Sequence, residues 1–374
     1  MKLYEYLAKD IMSKFGIPVP RGSAADDPAE VERIAASIGG EVVVKAQALV
    51  GGRGKAGGIK FASSPAEARE IAEGMLGSEL KGVKVEKVLI EEKLKIDKEV
   101  YVGIAVDTRK ARPVLIASGS GGMEIEEVPE KEIVRRLIEP PWGLEAFMGR
   151  EITRRLGLNG PVGGKVADII MKLYHVFTRC DAELTEINPL VISDGNVVAA
   201  DARLNVDDDA LYRHPELPRV EEGTPTELRV KSMGLSYVEL DGDIAVMANG
   251  AGMAMATLDV LQRYGGRPAN FLDAGGGASV EPMAEAIGIL LSTKPKAILV
   301  NIFGGITRCD DVARALIKVK ETVGFPVPVV IRLVGTNEEE GVSLLRQHGF
   351  EAYRTMDEAT RAVVEAAGRA NPWQ

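Results

Sequence analysis

The sequence predicts two domains of different class: an α+β domain of hairpins and helices, then a doubly wound parallel α/β domain. Three observations carry this expectation. In the first part of the chain, long runs with strand-like alternation are joined by short turns and flanked by amphipathic helices. From residue 244 onward, short apolar runs at 244–248, 269–272, 297–303 and 327–333 alternate with helical patterns. That is the rhythm of buried parallel strands joined by crossover helices. Between the two lies 213–242, rich in Pro, Glu and Gly and weak in periodicity, which reads as a boundary. The expected organisation is a first domain over 1–225 with two subdomains, a linker over 226–242 and a second domain over 243–374.

The elements follow in order. Leu3, Leu7, Ile11, Met12 and Phe15 have helical spacing and stop at Gly16. Pro18 and Pro20 impose an extended segment. Asp27-Pro28 opens a second helix that runs to Gly39-Gly40. A strand is expected over 41–47, then a glycine-rich loop, a strand over 59–62 and a helix over 65–77. Strands at 88–91, 99–106 and 112–117 precede helices near 144–156 and 162–180. Strands over 182–192 and 196–206 pair around the turn Ser193-Asp194-Gly195. In the second domain, helices are expected over 253–264, 281–291, 310–322, 338–348 and 356–369, the last after a short strand. The alternation makes this domain flavodoxin-like.

Composition narrows the function. Of 374 residues, 45% are hydrophobic and 27% charged, as in an ordinary soluble globular protein. The net charge of -9 and an aromatic content of 5% argue against a nucleic-acid-binding surface. Two cysteines, Cys180 and Cys309, are too few for a disulfide framework and fit a reducing compartment. The first residues lack the apolar core of a signal peptide, and no run is long enough to span a bilayer. A soluble, cytoplasmic protein with no membrane partner is expected.

The loop Gly51-Gly52-Arg53-Gly54-Lys55-Ala56-Gly57-Gly58 holds five glycines and two cations. Glycines let backbone N–H groups turn toward an anion, and Arg53 and Lys55 add charge. Lys45 precedes the loop on a strand. Lys55 is followed by Ala56 and then by a strand, so this is not the Walker phosphate loop, which ends in Lys-Ser/Thr and opens a helix. A flap folded over phosphates fits better than a bare hairpin turn.

A nucleotide triphosphate brings Mg²⁺, which takes hard oxygen ligands. In Glu186-Ile187-Asn188-Pro189, alternation puts Glu186 and Asn188 on one face. Asp201 on the returning strand can face them. Asp207, Asp208 and Asp209 form a more obvious acidic cluster, which fits a turn and helix cap better than a metal site. Glu91 and Glu99 flank a segment that can offer backbone groups to a purine and a carboxylate to a ribose. In the second domain, Asn249-Gly250, Gly275-Gly276-Gly277 and Gly304-Gly305 fall at the carboxyl ends of the strands, where ligands bind in doubly wound sheets. The last of these opens a helix expected near Thr307, whose N-terminus can hold an anion.

Together these pieces resemble the β subunits of succinate–CoA ligase (succinyl-CoA synthetase) over essentially the whole chain. The resemblance rests on LYEYLAKDIMSKFGIPVPRG, VVVKAQALVGGRGKAGGIK, ELTEINPLVI and ADARLNVDDDAL, then MANGAGMAMATLD, PANFLDAGGGAS and LVNIFGGITRCD, in that order. It implies an ATP-grasp fold in the first domain and an acid–thiol ligase using ATP and Mg²⁺. It implies nucleotide contacts at Lys45, Gly52, Arg53, Gly54, Glu91, Leu94 and Glu99, with Leu94 acting through its backbone. Asn188 and Asp201 are the implied metal ligands, and Glu186 the carboxylate that orients a phosphohistidine. Asn249, Gly305, Ile306 and Thr307 are the implied acid- and phosphate-binding positions.

The chain has three histidines, His175, His214 and His348, and none lies in a glycine-rich loop. The resemblance accounts for this. The phosphohistidine and the CoA site belong to a partner α subunit, so a heteromeric assembly acting in the tricarboxylic acid cycle is implied.

Some positions depart from the family pattern. Thr307 stands where many relatives carry valine, Ser120 where they carry glutamate, and Asp209 where they carry asparagine. A hydroxyl at 307 could suit a hydroxylated acid, which makes malate–CoA or citrate–CoA ligase the nearest rivals. Pro20 resembles ATP-preferring rather than GTP-preferring members. A carboxylate–amine ligase, a rival of another class, would share the first domain but needs no second domain and no histidine partner.

Overall fold

A computed structural model describes residues 1–221 and 223–368 of the chain. The chain divides into two compact units, Met1–Glu222 and Gly223–Gln374.

Besides a two-stranded pair, Glu79–Leu80 with Val83–Lys84, the first unit contains two larger antiparallel sheets. The smaller of these two has the strand order Gly22–Ala25, Lys87–Glu92, Val42–Gln47, Ile59–Ala62. Alternation along Val42–Gln47 sends Val42, Val44 and Ala46 into a core with Val31 and Ala35 of helix Pro28–Ile38 and Ala68 and Ala72 of helix Pro65–Met75. Val43 and Lys45 are left on the opposite face. Both helices start as the sequence indicates, with Asp27 and Ser64 accepting from the N3 amide and proline at N1.

The larger sheet runs Asn196–Ala199, Ala182–Ser193, Lys98–Asp107, Arg112–Ser118, Ile133–Leu137. Helices Glu5–Lys14, Ala146–Arg155 and Gly160–Arg179 cover it, with Met12, Ile152, Ile170 and Leu173 packed on Val100, Val102, Ile104 and Leu115.

Two departures from expectation matter here. The returning strand over 196–206 is broken into Asn196–Ala199 and Arg203–Val206. Asp201 therefore sits in the break, not on a strand. The two alanines before it and the one after it lack the branched or aromatic side chains that favour a strand. Strands Gly22–Ala25 and Ile133–Leu137 were not expected; Gly-Ser-Ala-Ala carries no strand signal, and the other holds two arginines at its centre.

The second unit is a six-stranded sheet in the order Ser236–Glu239, Asn270–Asp273, Ile244–Ala248, Ala297–Gly304, Val329–Gly335, Ala352–Tyr353. All neighbours are parallel except the first strand, which runs antiparallel at the edge. The five parallel strands follow the flavodoxin order 2-1-3-4-5. Ala245, Met247, Ile298 and Val300 face helices Val280–Ser292 and Cys309–Thr322. Ile244, Val246 and Leu299 face Leu258, Leu261, Val363 and Val364 of Ala251–Arg263 and Met356–Ala366. The last helix was expected to reach 369, which lies outside the described residues.

The expected linker over 226–242 is folded into this unit. Helix Pro225–Ser232 opens with a capping box between Thr224 and Glu227, and Ser236–Glu239 supplies the edge strand. Its eight residues are too few to display a period. Among the described residues, no helix is long and apolar enough to cross a membrane.

Candidate functional site

A cavity of about 610 Å³ opens in the first unit. Both sheets line it. Lys45, Glu91 and Leu94 come from the small sheet and the segment after it, and Gly52, Arg53 and Gly54 from the glycine loop. Glu99, Glu186, Asn188 and Asp201 come from the large sheet and its break. Every residue expected to meet nucleotide or metal, and Glu186 with them, thus lines one cavity. Pro20 lines it too.

The glycine loop is a closed turn. The amides of Ala56, Gly57 and Gly58 bond back to the carbonyls of Gly52, Arg53 and Gly54. Those of Gly52, Arg53 and Gly54 make no such backbone bond among the described residues and lie along the cavity. Gly52 has φ of +66°, which favours glycine there. Lys81 donates to the Gly51 carbonyl at 2.7 Å, and exposed Lys55 pairs with Glu127 at 2.9 Å. Lys55 thus points to an acidic neighbour, not into the cavity's charged floor.

That floor is a buried network of three cations and three carboxylates. Lys45 Nζ lies 2.9 Å from Glu5 Oε1, 2.8 Å from Glu91 Oε2 and 2.6 Å from the Ala200 carbonyl oxygen. Lys9 Nζ lies 2.9 Å from Glu5 Oε1, 2.6 Å from Glu91 Oε1 and 2.7 Å from the same carbonyl. Arg53 reaches Glu5 Oε2 at 2.8 Å and both Asp201 oxygens at 3.2 and 3.3 Å. Ala200 is free to serve both lysines because the strand breaks there.

The titration of these groups follows from their surroundings. Burial alone would raise the Glu5 carboxyl, but Lys45, then Lys9 and Arg53, hold it well below the usual range. Lys45 is held protonated far above the usual range, since Glu5, Glu91 and Asp201 outweigh its burial. Asp201 is pushed up by the packing around it and by the Glu5 carboxylate, against the pull of Arg53, Lys45 and Lys9. A third of its side chain, 32%, still faces open space. Glu186 is likewise pushed up by burial, although Tyr101 donates to it at 3.0 Å and Arg203 attracts it.

Glu5, Lys9 and Tyr101 were not singled out from sequence. Glu5 and Lys9 are four apart on the first helix, a spacing of opposite charges usual on a solvated helix face. The available signal was their phase. Glu5, Ala8, Lys9 and Met12 form one stripe, and all four are buried.

Asn188 holds the loop opposite. Its Oδ1 accepts from Gly122 N at 2.8 Å and its Nδ2 donates to the Met123 carbonyl at 2.9 Å. A second lone pair on Oδ1 is left for a ligand. An amide oxygen and one carboxylate are a fitting donor set for Mg²⁺, which takes few protein ligands beside water and phosphate. Arg53 on Asp201 shows that this carboxylate already accepts a cation. Among the described residues, no group of three or more His, Cys, Asp or Glu is arranged to hold a metal. Asp207 caps a 3₁₀ turn at Asp208–Arg213 as expected. Ser120 contacts Ser118 and Glu132 and does not line the cavity.

The second unit places its four residues at the carboxyl edge of its sheet. Asn249 Nδ2 donates to the Phe303 carbonyl and its Oδ1 accepts from Phe303 N, both at 2.9 Å, clamping two strand ends together. Asp273 Oδ1 takes the amides of Gly250 at 2.6 Å and Gly275 at 2.7 Å. Ile306 is 81% exposed and Gly305 is exposed beside it. Thr307 is only 1% exposed. Its hydroxyl donates to Gly275 O and accepts from Gly277 N, each at 3.2 Å, and so ties down the glycine loop.

The helix that follows begins at Cys309, one residue before the expected 310 and two past Thr307. Buried Asp310 in its first turn pairs with Arg308 and Arg314 and bonds to Asn337. Ile306 and Thr307 amides make no loop backbone bond among the described residues. The three histidines stand apart from the cavity lining; His214 is buried between Asp181 at 2.7 Å and Glu216 at 3.2 Å.

Comparison with known proteins is consistent across the chain. Residues 2–192 match the ATP-grasp domain family and residues 247–366 the CoA-ligase family. The chain is 47% identical to the succinate–CoA ligase [ADP-forming] subunit beta of Chloroflexus aurantiacus, covering 98% of this chain and 99% of that one. It is 46% identical to the succinate–CoA ligase [GDP-forming] subunit beta of Thermus thermophilus, covering 99% and 100%. Among solved structures, ATP citrate lyase from Methanothrix soehngenii shares the fold, with a TM-score of 0.76, 20% identity and coverage of 98% and 99%.

Proposed function

The chain belongs to the succinate–CoA ligase β-subunit family, and on that premise we propose that it uses ATP and Mg²⁺ to form succinyl-CoA with an α-subunit partner. The observation that carries the site assignment is the cavity of the first unit, which gathers seven nucleotide candidates, two metal candidates and Glu186.

In this reading Lys45, Arg53 and the amides of Gly52, Arg53 and Gly54 neutralise the phosphates. Leu94 and Glu99 meet the purine and ribose. Asn188 and Asp201 would hold Mg²⁺, which would supply charge neutralisation for the transferring phosphoryl group. A histidine nitrogen of the partner attacks the γ-phosphorus, the bridging P–O bond breaks and ADP leaves. Glu186, steadied by Tyr101, accepts the other imidazole N–H and keeps the ring aimed. Most of the catalysis is positioning and charge neutralisation.

The second unit serves the acid. A succinate carboxylate oxygen attacks the phosphohistidine phosphorus and the N–P bond breaks. The CoA thiolate then attacks the acyl carbon and expels phosphate. The exposed backbone at Gly305 and Ile306, with Asn249 and Thr307 holding that edge in shape, is suited to the phosphate and carboxylate oxygens. The Thr307 hydroxyl is already committed to Gly275 and Gly277. That weakens the argument for a hydroxylated acid, and succinate is the acid proposed.

The test is turnover by the chain co-expressed with its α subunit. ATP, Mg²⁺ and CoA are supplied with succinate, malate or citrate. Succinyl-CoA formation is expected. Turnover on malate or citrate alone would contradict the choice of acid, and CoA-independent amide formation by this chain alone would contradict the reaction.

A further inference from the structure

Lys9 is a buried ammonium group, 3% exposed, that sits behind the cavity lining and touches no open space where a nucleotide could lie. Yet it is bonded to the same three acceptors as Lys45: Glu5 Oε1, the Glu91 carboxylate and the Ala200 carbonyl. An ammonium has three N–H donors. Lys45, with those three acceptors around it, has none left for a phosphate.

For Lys45 to reach a nucleotide it must leave at least one acceptor. In a chain without Lys9 that move would strand Glu91, which pairs with Lys9 and Lys45, as a buried carboxylate lacking a cation, while Glu5 would be left with Arg53 alone; this is strongly unfavourable. Arg53, with five N–H donors, can keep Glu5 Oε2 at 2.8 Å while meeting phosphate, but it pairs with Glu5 and Asp201 and not with Glu91. Lys9 alone among the three cations cannot go to the ligand.

We propose that Lys9 is a positioning residue for phosphoryl transfer: a placeholder cation that keeps Glu5, Glu91 and the Ala200 carbonyl satisfied while Lys45 and Arg53 turn to the nucleotide. This rests on the reading that Lys45 and Arg53 meet phosphate. It assigns Glu91 to the charge balance behind Lys45 instead of to the ribose. The counting is direct. The network holds Lys9, Lys45 and Arg53 against Glu5, Glu91 and Asp201. Without Lys9, three carboxylates compete for two cations, and both cations are retained.

The experiment is calorimetric titration of the chain in complex with its α subunit, with Mg²⁺ and a non-hydrolysable ATP analogue. Binding by the wild type, and its loss in Lys45→Met, tests the underlying reading by itself. Lys9→Met should bind about tenfold more weakly or worse, because the competent state becomes a minor population. Adding Glu91→Gln to Lys9→Met restores the charge balance and should bring affinity back to within about threefold of wild type. Wild-type affinity in Lys9→Met, or a double variant as weak as the single, would overturn the proposal. If Lys9→Met does not fold, Glu91→Gln alone decides. It removes one hold on Lys45 and should tighten binding, and equal or weaker binding would overturn the proposal.

Discussion

The two units present their candidate residues in opposite ways. In the first, the residues are charged side chains buried against one another, each cation matched by a carboxylate. In the second, side chains serve the backbone: Asn249 clamps Phe303, Asp273 gathers two glycine amides, and Thr307 pins the loop between Gly275 and Gly277. A triphosphate with its metal needs movable charge of both signs. A phosphate or carboxylate at a sheet edge can be met by fixed N–H groups, which only need their loops held still.

That difference is open to attack from either side. The largest effect is expected in the first unit. Asp201→Ala removes the carboxylate proposed for the metal and one partner of Arg53, and should slow phosphorylation of the partner's histidine at least about 100-fold. Subunit assembly should survive, as size-exclusion chromatography would report. Phosphorylation at the wild-type rate would remove Asp201 from the metal site.

Asn249→Ala should act on the other half of the cycle. Phosphoenzyme should form and then persist, with its succinate-dependent discharge slowed about tenfold as the two strand ends lose their clamp. Slowed formation with normal discharge would contradict the division of labour. Thr307→Val is smaller again. It leaves Gly277 N and Gly275 O without their shared hydroxyl and should cost about 1 kcal/mol of stability, up to about 3 if both stay buried and unpaired. Chemical denaturation measures this, and the preference for succinate should stay.

A further effect is confined to acid. Bonds from Arg308, with Arg314 and Asn337, outweigh burial and lower the Asp310 carboxyl from 3.8 to about 2. A value depressed in the folded state means stabilisation that is present above the unfolded value and lost as pH falls through the folded one. The stability advantage of wild type over Asp310→Asn should therefore be full above about pH 4 and fade toward about pH 2. An advantage independent of pH over that range would mean that the charge of Asp310 is not what stabilises the turn.

The same contrast governs what sequence could reveal. The second unit's sheet was readable because buried parallel strands leave uninterrupted apolar runs, and its glycine clusters mark strand ends. The side-chain duties there were not readable, since a buried threonine hydroxyl looks the same as an exposed one. In the first unit, Lys45, Arg53, Asn188 and Asp201 stood out because charge beside glycine, or an isolated amide on a strand, is informative. Glu5 and Lys9 did not, since an i,i+4 pair of opposite charge is the usual mark of a solvated helix face. Their place on the stripe with Ala8 and Met12 was the only local hint. The break at Asp201 escaped because strand alternation on either side of it is intact. The helix and edge strand between 225 and 239 were each too short to show a period.

The central claim is that this chain charges a histidine it does not own. The most direct measurement mixes the chain and its α subunit with γ-labelled ATP and Mg²⁺, then locates the label by peptide mapping. Label on a histidine of the partner, released when succinate and CoA are added, is the result expected. Label on His175, His214 or His348 of this chain would contradict it.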